Sequence, residues 1–254
     1  MQILEEKLKE IITNHKKWLR NEEGGIKAEL KNTNLYGQNL STADLRYADL
    51  AGSDLRSANL IGADLTGADL SGADFSSANI YSAVFVEADL EGAKFSHAIA
   101  GFADFSNSNL IYADFTYANL NDSTFKYAEL NHADFSNSDL SLADLTNNSE
   151  NLKDINLHGA KLIGVKLPKG FFQLNGSGIF KECTTYDSIN DQIIHNGWNP
   201  KGESTLAAFK ADIERVYGAK GTQKNKQYYT EYMLQIQYFK ALCSKKYIIS
   251  KEEK

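Results

Sequence analysis

Proline, cysteine and long hydrophobic runs are all scarce in this chain. Its 254 residues include two prolines and two cysteines. Cys183 and Cys243 are far apart and fit no metal-ligand spacing, which predicts two reduced thiols. No run of about 18 apolar residues is present, and the start, MQILEEKLKEII, mixes acids and bases where a signal peptide needs an apolar core. The sequence therefore predicts a cytoplasmic protein without a membrane span.

Catalytic motifs are missing as well. There is no GxSxG nucleophile elbow, no phosphate-binding P-loop and no HExxH zinc motif. Carboxylates recur so regularly that no pair stands out as an acid–base couple. The five histidines fit no ligand spacing; they are His15, His97, His132, His158 and His195. We therefore expect no enzyme activity, no catalytic residue, no metal and no cofactor.

Charge is distributed unevenly along the chain. Residues 1–25 are neutral, residues 26–168 carry 9 bases and 19 acids, and residues 169–254 carry 13 bases and 9 acids. The middle segment, with a net charge of −10, repels phosphate, which argues against direct nucleic-acid binding. It favours a protein partner with a basic surface.

The acidic segment repeats every five residues, as in ADLTGADLSGADF at residues 63–75. In the 21 units from Leu45 to Leu145 the central residue is Leu twelve times and Phe seven times, and the exceptions are Ile80 and Ala100. Two positions before the centre the residue is Ala seventeen times and Ser four times. Directly before the centre it is Asp twelve times and Asn four times.

This pattern predicts a coil with four corners. A position limited to Ala or Ser is crowded, one limited to Leu or Phe is buried, and the variable positions face water. A helical stripe of period five would drift by about 140° per repeat, and a flat strand would turn over because five is odd. A chain that turns a corner every five residues keeps each centre inside, and four corners close a coil of about twenty residues.

The repeat A-(D/N)-L-x-x resembles the pattern of the pentapeptide-repeat family. The resemblance covers residues 26–168 and implies a β solenoid, namely a right-handed quadrilateral parallel β-helix. After Leu145 the five-residue period restarts at Leu152, a step of seven residues. This predicts a two-residue insertion around residues 147–150 and about seven coils in all. We number the faces by their first centres: first face Leu30, second face Leu35, third face Leu40 and fourth face Leu45, each continuing in steps of twenty.

The predicted core has one irregular layer. Phenylalanines occupy only the second and fourth faces, which are opposite each other, so their rings can stack from coil to coil. Ala100 on the third face is flanked by Phe95 and Phe105. We take these three residues as core determinants and expect the two rings to lean in and fill the space beside Ala100.

The residue before each centre forms an outward row. This row is mostly acidic on the first and second faces and mostly Asn on the third. Asp and Asn suit tight corners because their side chains bond backbone amides, but that does not explain why charge separates by face. The acidic rows are therefore our candidate partner-binding residues: Asp49, Asp69, Asp89, Asp54, Asp74, Asp114, Glu129 and Asp134.

Both ends are predicted to be non-repetitive domains. Residues 1–25 form an N-terminal helical cap, with a helix over residues 3–20, because open strand edges invite aggregation. His15 and Trp18 are expected to be packing residues on this helix. Residues 169–254 form a C-terminal α+β module, with two or three short strands in residues 176–198 and a helical hairpin at about 204–218 and 223–245. This module loosely resembles one that follows pentapeptide repeats in bacterial and phage proteins.

Three functional hypotheses follow. The first is a non-catalytic interaction scaffold, either monomer or homodimer. The second comes from the resemblance, since quinolone-resistance members of the family protect gyrase with an acidic rod that mimics DNA; it implies a topoisomerase partner. Those members dimerise through a short C-terminal helix, whereas this chain has an 86-residue tail. The third places ligand binding or catalysis in the tail, in a pocket formed by Tyr186, Asp187, His195 and Trp198.

Overall fold

The computed structural model contains one helix and four short strands among the residues it describes. Those residues are 3, 5–146, 155–157, 160–162, 164–166, 171–174, 184–187, 192–195 and 203–204. The chain divides into two compact units, residues 1–169 and residues 170–254. Helix α1 spans Glu5–Leu19 and belongs to the first unit.

Residues 26–146 are organised in steps of twenty. The residue before each centre makes a parallel bridge to its counterpart twenty positions on, as Asp49 does with Asp69. Leu50 donates its backbone N–H to the Asp69 carbonyl at 2.8 Å, and Asp69 donates its own to Ala48 at 3.0 Å. Each face contributes one bridged residue per coil, because the next corner begins directly after the centre. This spacing agrees with the predicted twenty-residue coil.

Each corner needs a residue in the left-handed region of φ. The second residue after the centre takes this conformation, for example Tyr47 at 62° and Phe102 at 59°. The following N–H then closes the turn on the carbonyl of the centre, as Ala48 does on Leu45 at 3.1 Å. The left-handed region costs a non-glycine residue roughly 1–2 kcal/mol. A bulky side chain at a corner is therefore locally unfavourable.

Burial confirms which side chains point inward. The centres from Leu30 to Leu145 are at most 1 % exposed, and the Ala and Ser residues two positions earlier are at most 6 % exposed. Phenylalanines on one face stack at centroid distances between 4.6 Å and 5.0 Å. Rings on opposite faces meet edge to face at 5.5–6.0 Å. The interior is thus a zigzag of seven rings, from Phe75 to Phe135.

The rings beside Ala100 keep the spacing found elsewhere in the core. The centroids of Phe95 and Phe105 are 5.6 Å apart, within the range of the other edge-to-face pairs. Phe105 and Phe115, which flank a leucine at position 110, are 5.5 Å apart. The two rings beside Ala100 are therefore no closer to each other than rings that flank a leucine, and their leaning into the space beside Ala100 stays a prediction.

Beyond Leu145 the spacing of the bridges changes from 20 to 22 residues. Asp134 bridges Asn156, and Asp144 bridges Lys166. Leu157 and Leu162 are buried again. This agrees with a two-residue insertion; residues 147–150, where it is predicted, lie outside the described residues.

Helix α1 is hydrogen-bonded to the start of the solenoid. The buried side chain of His15 makes two of these bonds: its Nδ1 accepts the Ala28 N–H at 3.0 Å, and its Nε2 lies 3.0 Å from the Arg46 carbonyl. Since Nδ1 accepts, the ring is neutral and Nε2 carries the proton. Trp18 stacks on this ring at 5.5 Å. His15 and Trp18 are thus packing residues, as expected from the sequence.

The second unit contains a four-stranded antiparallel sheet with strand order β1-β2-β3-β4. The strands are β1 (Phe171–Leu174), β2 (Thr184–Asp187), β3 (Gln192–His195) and β4 (Glu203–Ser204). Strands β2 and β3 lie in the stretch where short strands are predicted. Ser204, the predicted first residue of the helical hairpin, lies in β4, so the helix start predicted there is wrong. The rest of the predicted hairpin, both cysteines and Trp198 lie outside the described residues.

Candidate protein-interaction surface

The outward Asp and Asn residues have a structural role that both can perform. Asp49 Oδ1 accepts the backbone N–H of Ala51 at 3.0 Å, and Asn79 Oδ1 accepts that of Tyr81 at 3.2 Å. The same bond recurs along all four faces and stabilises the turn. Because Asp and Asn both supply this oxygen, corner geometry does not decide where the negative charges lie.

The first face carries the densest negative charge. The segments that cross this face in six successive coils contain six acids and one base. These segments are residues 28–32, 48–52, 68–72, 88–92, 108–112 and 128–132. Asp49, Asp69 and Asp89 follow one another through bridges, at a coil spacing of about 4.8 Å. No ion pair reaches any of these three carboxylates in the described part of the chain. Like charges on neighbouring strands repel each other, so the fold gains nothing from this row being acidic.

The second face is less acidic than the sequence rows suggested. Arg56 binds both carboxylate oxygens of Asp54 at 2.8 Å, and these hydrogen bonds hold the pKa of Asp54 below its usual value. Lys94 takes the place of an acid further along the same row. Of the candidate residues here, Asp54 is neutralised by its neighbour, while Asp74, Asp114 and Asp134 are partly exposed.

The fourth face, whose row was not singled out in the sequence, is a mixed surface. Arg46 pairs with Asp44 at 2.8 Å and lies 3.7 Å from Asp64. Asp144 lies 3.4 Å from the amines of both Lys126 and Lys166. Three of the five acids on this face, Asp44, Asp64 and Asp144, therefore lie beside cations, which reduces the free charge that the face offers a basic partner.

The third face differs from the others, and the sequence analysis missed its importance. Ile99 stands in a row between Asn79 and Asn119, and it is 47 % exposed. Beside it, Tyr81 and Phe102 are also exposed and contact each other edge to face at 5.5 Å. The signal available in the sequence was the stretch HAIAGF at residues 97–102, which breaks the repeat at the outward row, the centre and the corner together.

Elsewhere the described residues offer little chemistry. A recess of about 260 Å³ lies between α1 and the first coil, lined by Lys7, Glu10, Ile11, Asn14, Ile26, Lys27 and Glu29. No cluster of His, Cys, Asp and Glu that could hold a metal occurs in the described part of the chain. Nor does any helix described there have the length and apolar character of a membrane span. Tyr186, Asp187 and His195 lie on β2 and β3, and their pocket stays a prediction.

Comparison with known proteins bears on the solenoid alone. The family profile "Pentapeptide repeats (8 copies)" matches residues 26–60 and 58–96, and "Pentapeptide repeat region" matches residues 78–157. With the twenty-residue bridge spacing, these matches identify a right-handed β-helix solenoid. Among curated protein sequences none matches.

Several solved structures are similar to this chain. HetL, a pentapeptide repeat protein involved in heterocyst differentiation regulation in the cyanobacterium Nostoc sp. strain PCC 7120, is 24 % identical over 60 % of this chain and 90 % of its own, with a TM-score of 0.23. The plasmid-mediated fluoroquinolone resistance protein QnrB1 is 24 % identical over 57 % and 84 %, with a TM-score of 0.30. A pentapeptide repeat protein from the Arabidopsis thaliana thylakoid lumen is 33 % identical over 44 % and 70 %, with a TM-score of 0.18.

Proposed function

Because this chain belongs to the pentapeptide-repeat family, we propose that it is a non-catalytic interaction scaffold whose first face binds a basic protein surface. The observation that carries this proposal is the stack of Asp49, Asp69 and Asp89, which has no cationic neighbour within ion-pair distance in the described part of the chain. Glu29 and Glu129 extend the same row and are exposed. A basic partner would relieve their mutual repulsion on binding.

The remaining segments have supporting roles in this proposal. Residues 1–25 cap the first of about seven coils through the bonds of His15, residues 26–168 are the solenoid, and residues 169–254 are the C-terminal α+β module. The protein acts in the cytoplasm and needs neither metal nor cofactor. Asp74, Asp114 and Asp134 on the second face are secondary contacts, whereas Asp54 is already paired with Arg56.

The test replaces three charges while keeping every corner bond. Asp49→Asn, Asp69→Asn and Asp89→Asn are combined in the full chain, since Asn supplies the same Oδ1 acceptor. Partners are captured from a lysate, purified and titrated against wild type and variant between low and physiological salt. We expect affinity at low salt to fall about tenfold, because each exposed pair contributes roughly 0.2–1 kcal/mol, and the salt dependence to flatten.

A matched variant separates the first face from net charge. Asp44→Asn, Asp64→Asn and Asp144→Asn remove three charges from the fourth face and also keep the corner geometry. Affinity should change by less than about threefold in this control, because its acids already have basic neighbours. Equal losses in both variants would mean that only net charge matters, and no loss in either would contradict the proposal.

A DNA-mimicking modulator or protector of a type II topoisomerase is the alternative partner assignment. It is favoured by the regularity of the first-face carboxylates, about 4.8 Å apart, which approaches the roughly 3.4 Å rise per phosphate of one DNA strand. The test is gyrase supercoiling, with and without a quinolone, in the presence of wild type or the first-face variant. Inhibition or protection by wild type that the variant lacks would select this alternative, and no effect of either would reject it.

A further inference from the structure

The recess beside helix α1 adjoins the acidic row of the first face. It has a volume of about 260 Å³ and lies between α1 and the first coil. Glu29 lines the recess and is also the first residue of the row, because it bridges Asp49 directly. A partner that lies along Asp49, Asp69 and Asp89 therefore meets the recess at the N-terminal end of the same face.

Two apolar side chains line the recess and are held on segments that are tied together. Ile11 of α1 is half-buried, and Ile26, at the start of the solenoid, is 62 % exposed. The backbone N–H of Ile26 donates to the Asn14 carbonyl at 3.1 Å. An apolar surface that is already fixed in this way loses little conformational freedom when a partner covers it.

The volume of the recess suits one side chain of a protein. Small-molecule sites usually have volumes of about 300–1,000 Å³, which is more than the recess offers. A closed apolar cavity of about 150 Å³ already admits benzene, so the recess, at about 260 Å³, has room for a Leu, Met or Phe side chain. Its size therefore favours an anchor residue of a protein partner over a drug-sized ligand.

The charges around the recess favour an uncharged occupant. Lys7 and Lys27 line it together with Glu10 and Glu29, and none of these four side chains forms an ion pair in the described part of the chain. The two lysines offset the attraction that the two glutamates exert on a cation. The row beyond the recess, in contrast, is anionic. A partner that complements both places is apolar at the recess and basic along the row.

The spacing of the row matches an α-helix better than an extended strand. At a coil spacing of about 4.8 Å, Asp49, Asp69 and Asp89 lie about 5, 10 and 14 Å from the level of Glu29. Helix residues three, seven and ten positions after an anchor lie about 4.5, 10.5 and 15 Å beyond it. On one face of an extended strand the side chains are about 6.7 Å apart, so they lose register with the acids.

We propose that the basic partner binds the first face with a helix whose apolar anchor enters the recess beside α1. Three basic residues of this helix, three, seven and ten positions from the anchor, lie over Asp49, Asp69 and Asp89. This inference rests on the proposed function, because it names the kind of segment that the acidic row binds. It also gives α1 a role beyond capping, since Ile11 lines the recess.

Designed peptides test the proposal against the full chain. The first is a helix of Ala and Gln, about 18 residues long, with Leu as the anchor and Lys three, seven and ten positions after it. The second has Ser in place of Leu. The third has the composition of the first, with its lysines spread around the helix. Fluorescence anisotropy at low salt should show an affinity about tenfold higher for the first peptide than for either of the others.

A substitution in the recess provides the complementary test. Ile26→Asn removes the more exposed apolar side chain and keeps the backbone bond to Asn14, so it should lower the affinity for the Leu peptide about fivefold. The affinity for the Ser peptide should stay within about twofold. The matched control is Ile61→Asn, which changes another isoleucine, 39 % exposed beside the third face, and should leave both affinities within about twofold.

The outcomes distinguish this inference from the proposed function. Equal affinities for the Leu and Ser peptides, or equal effects of Ile26→Asn on both, would overturn the anchor. If the variant that combines Asp49→Asn, Asp69→Asn and Asp89→Asn still lost affinity, the acidic row would stand without it. Equal binding of the first and third peptides would overturn the helix. If none of the three bound at about 1 mM protein, this inference and the proposed function would both fail.

Discussion

The first and third faces have the same backbone conformation and differ in the side chains that they present to solvent. Both stack coil on coil through single parallel bridges, and both close their corners with an Oδ1 bond, Asp69 to Ser71 on one and Asn79 to Tyr81 on the other. Outside, the first face carries a row that is mostly carboxylate, and the third carries a row that is mostly Asn, with Ile99 and Phe102 exposed. The two inward positions of each repeat thus specify the coil, and the outward positions can differ in chemistry from face to face.

Each of these two surfaces is locally unfavourable in its own way. The first face places Asp49, Asp69 and Asp89 on successive coils, where like charges repel. The third face exposes Ile99 and puts Phe102 at a left-handed corner. The basic partner proposed above would account for the acidic row, since Asn would serve the same corner bond.

The largest expected effect tests whether the two faces have equally tight packing at the small inward position. Ala68 on the first face and Ala78 on the third are both at most 1 % exposed. Ala68→Val and Ala78→Val should each lower the free energy of unfolding by about 3 kcal/mol, because the added methyl groups meet a fully packed interior. Thermal and urea unfolding of the full chain would measure this.

The outward position is the internal control for that pair. Asp69→Ser removes a corner acceptor and a charge but no core contact, so its cost should stay below about 1 kcal/mol. If Ala68→Val were as mild as Asp69→Ser, the assignment of inward and outward positions would fail. If Ala68→Val and Ala78→Val differed strongly, the two faces would not share one interior.

A smaller effect is expected where the third face lacks its centre. The sequence predicts that Ala100→Leu overpacks, because Phe95 and Phe105 were expected to fill the space. The ring spacing of 5.6 Å reverses the expected sign, since rings 5.5 Å apart flank a leucine at position 110. We expect Ala100→Leu to raise the free energy of unfolding by about 2 kcal/mol, the low end of the cost of the opposite change.

Denaturant unfolding of Ala100→Leu beside Leu110→Ala is the measurement. A gain for the first and a loss for the second would show that both faces accept the same central residue. A loss for Ala100→Leu would mean that the backbone at Ala100 and Gly101 has moved inward to close the space.

Most of the solenoid could be predicted because its cause is local. A five-residue beat with one crowded and one large position admits few backbones, and burial of Ala48 and Leu50 follows from the pattern alone. The two-residue shift of the bridges after Asp144 was likewise visible as a break in the beat. That Phe95 and Phe105 lean towards Ala100 stays a prediction, because a composition pattern contains no ring positions.

The candidate surfaces were harder to predict because they depend on neighbours in space. Arg56 neutralises Asp54, although both were counted separately in the sequence. Phe102 and Tyr81 meet across coils, twenty-one positions apart in the chain, so neither is conspicuous by itself. Corner positions accept many residue types, so an exposed aromatic residue at one corner does not by itself indicate a surface.

The pH dependence of stability tests the hydrogen bonds by which His15 of helix α1 contacts the first coil. His15 bonds Ala28, at the start of the first face. Burial lowers the pKa of His15, with Lys27 and Arg46 also opposing a positive charge and Asp44 favouring it. Below the unfolded pKa of about 6.5, the unfolded chain takes up a proton that the folded ring refuses. Stability should therefore decline as pH falls from 7 towards 5, by at most about 1.4 kcal/mol per pH unit.

His15→Gln should remove most of this pH dependence, because an amide can accept from Ala28 and donate to Arg46 without titrating. Melting temperatures at pH 5, 6, 7 and 8 would show a flatter curve for His15→Gln than for wild type. A wild-type curve that rises on acidification would contradict the bonding assigned to His15.

The smallest effect isolates the outward row itself by exchanging its residues between the two faces. Asp69→Asn removes the middle charge of three stacked carboxylates and keeps the bond to Ser71, so stability should rise by about 0.5 kcal/mol. Asn79→Asp places a single charge among amides and should change stability by only a few tenths. Raising the salt concentration should shrink the gain of Asp69→Asn, since it screens the repulsion in wild type. Unfolding at low and high salt is the measurement, and a gain that persists at about 1 M salt, where the screening length is near 3 Å, would mean that repulsion is not its cause.

Asp69→Asn should also weaken binding of a basic partner while stabilising the fold. Opposite signs for folding and binding in one substitution are what a surface kept acidic for a partner requires, and a row retained for folding alone would lose both together.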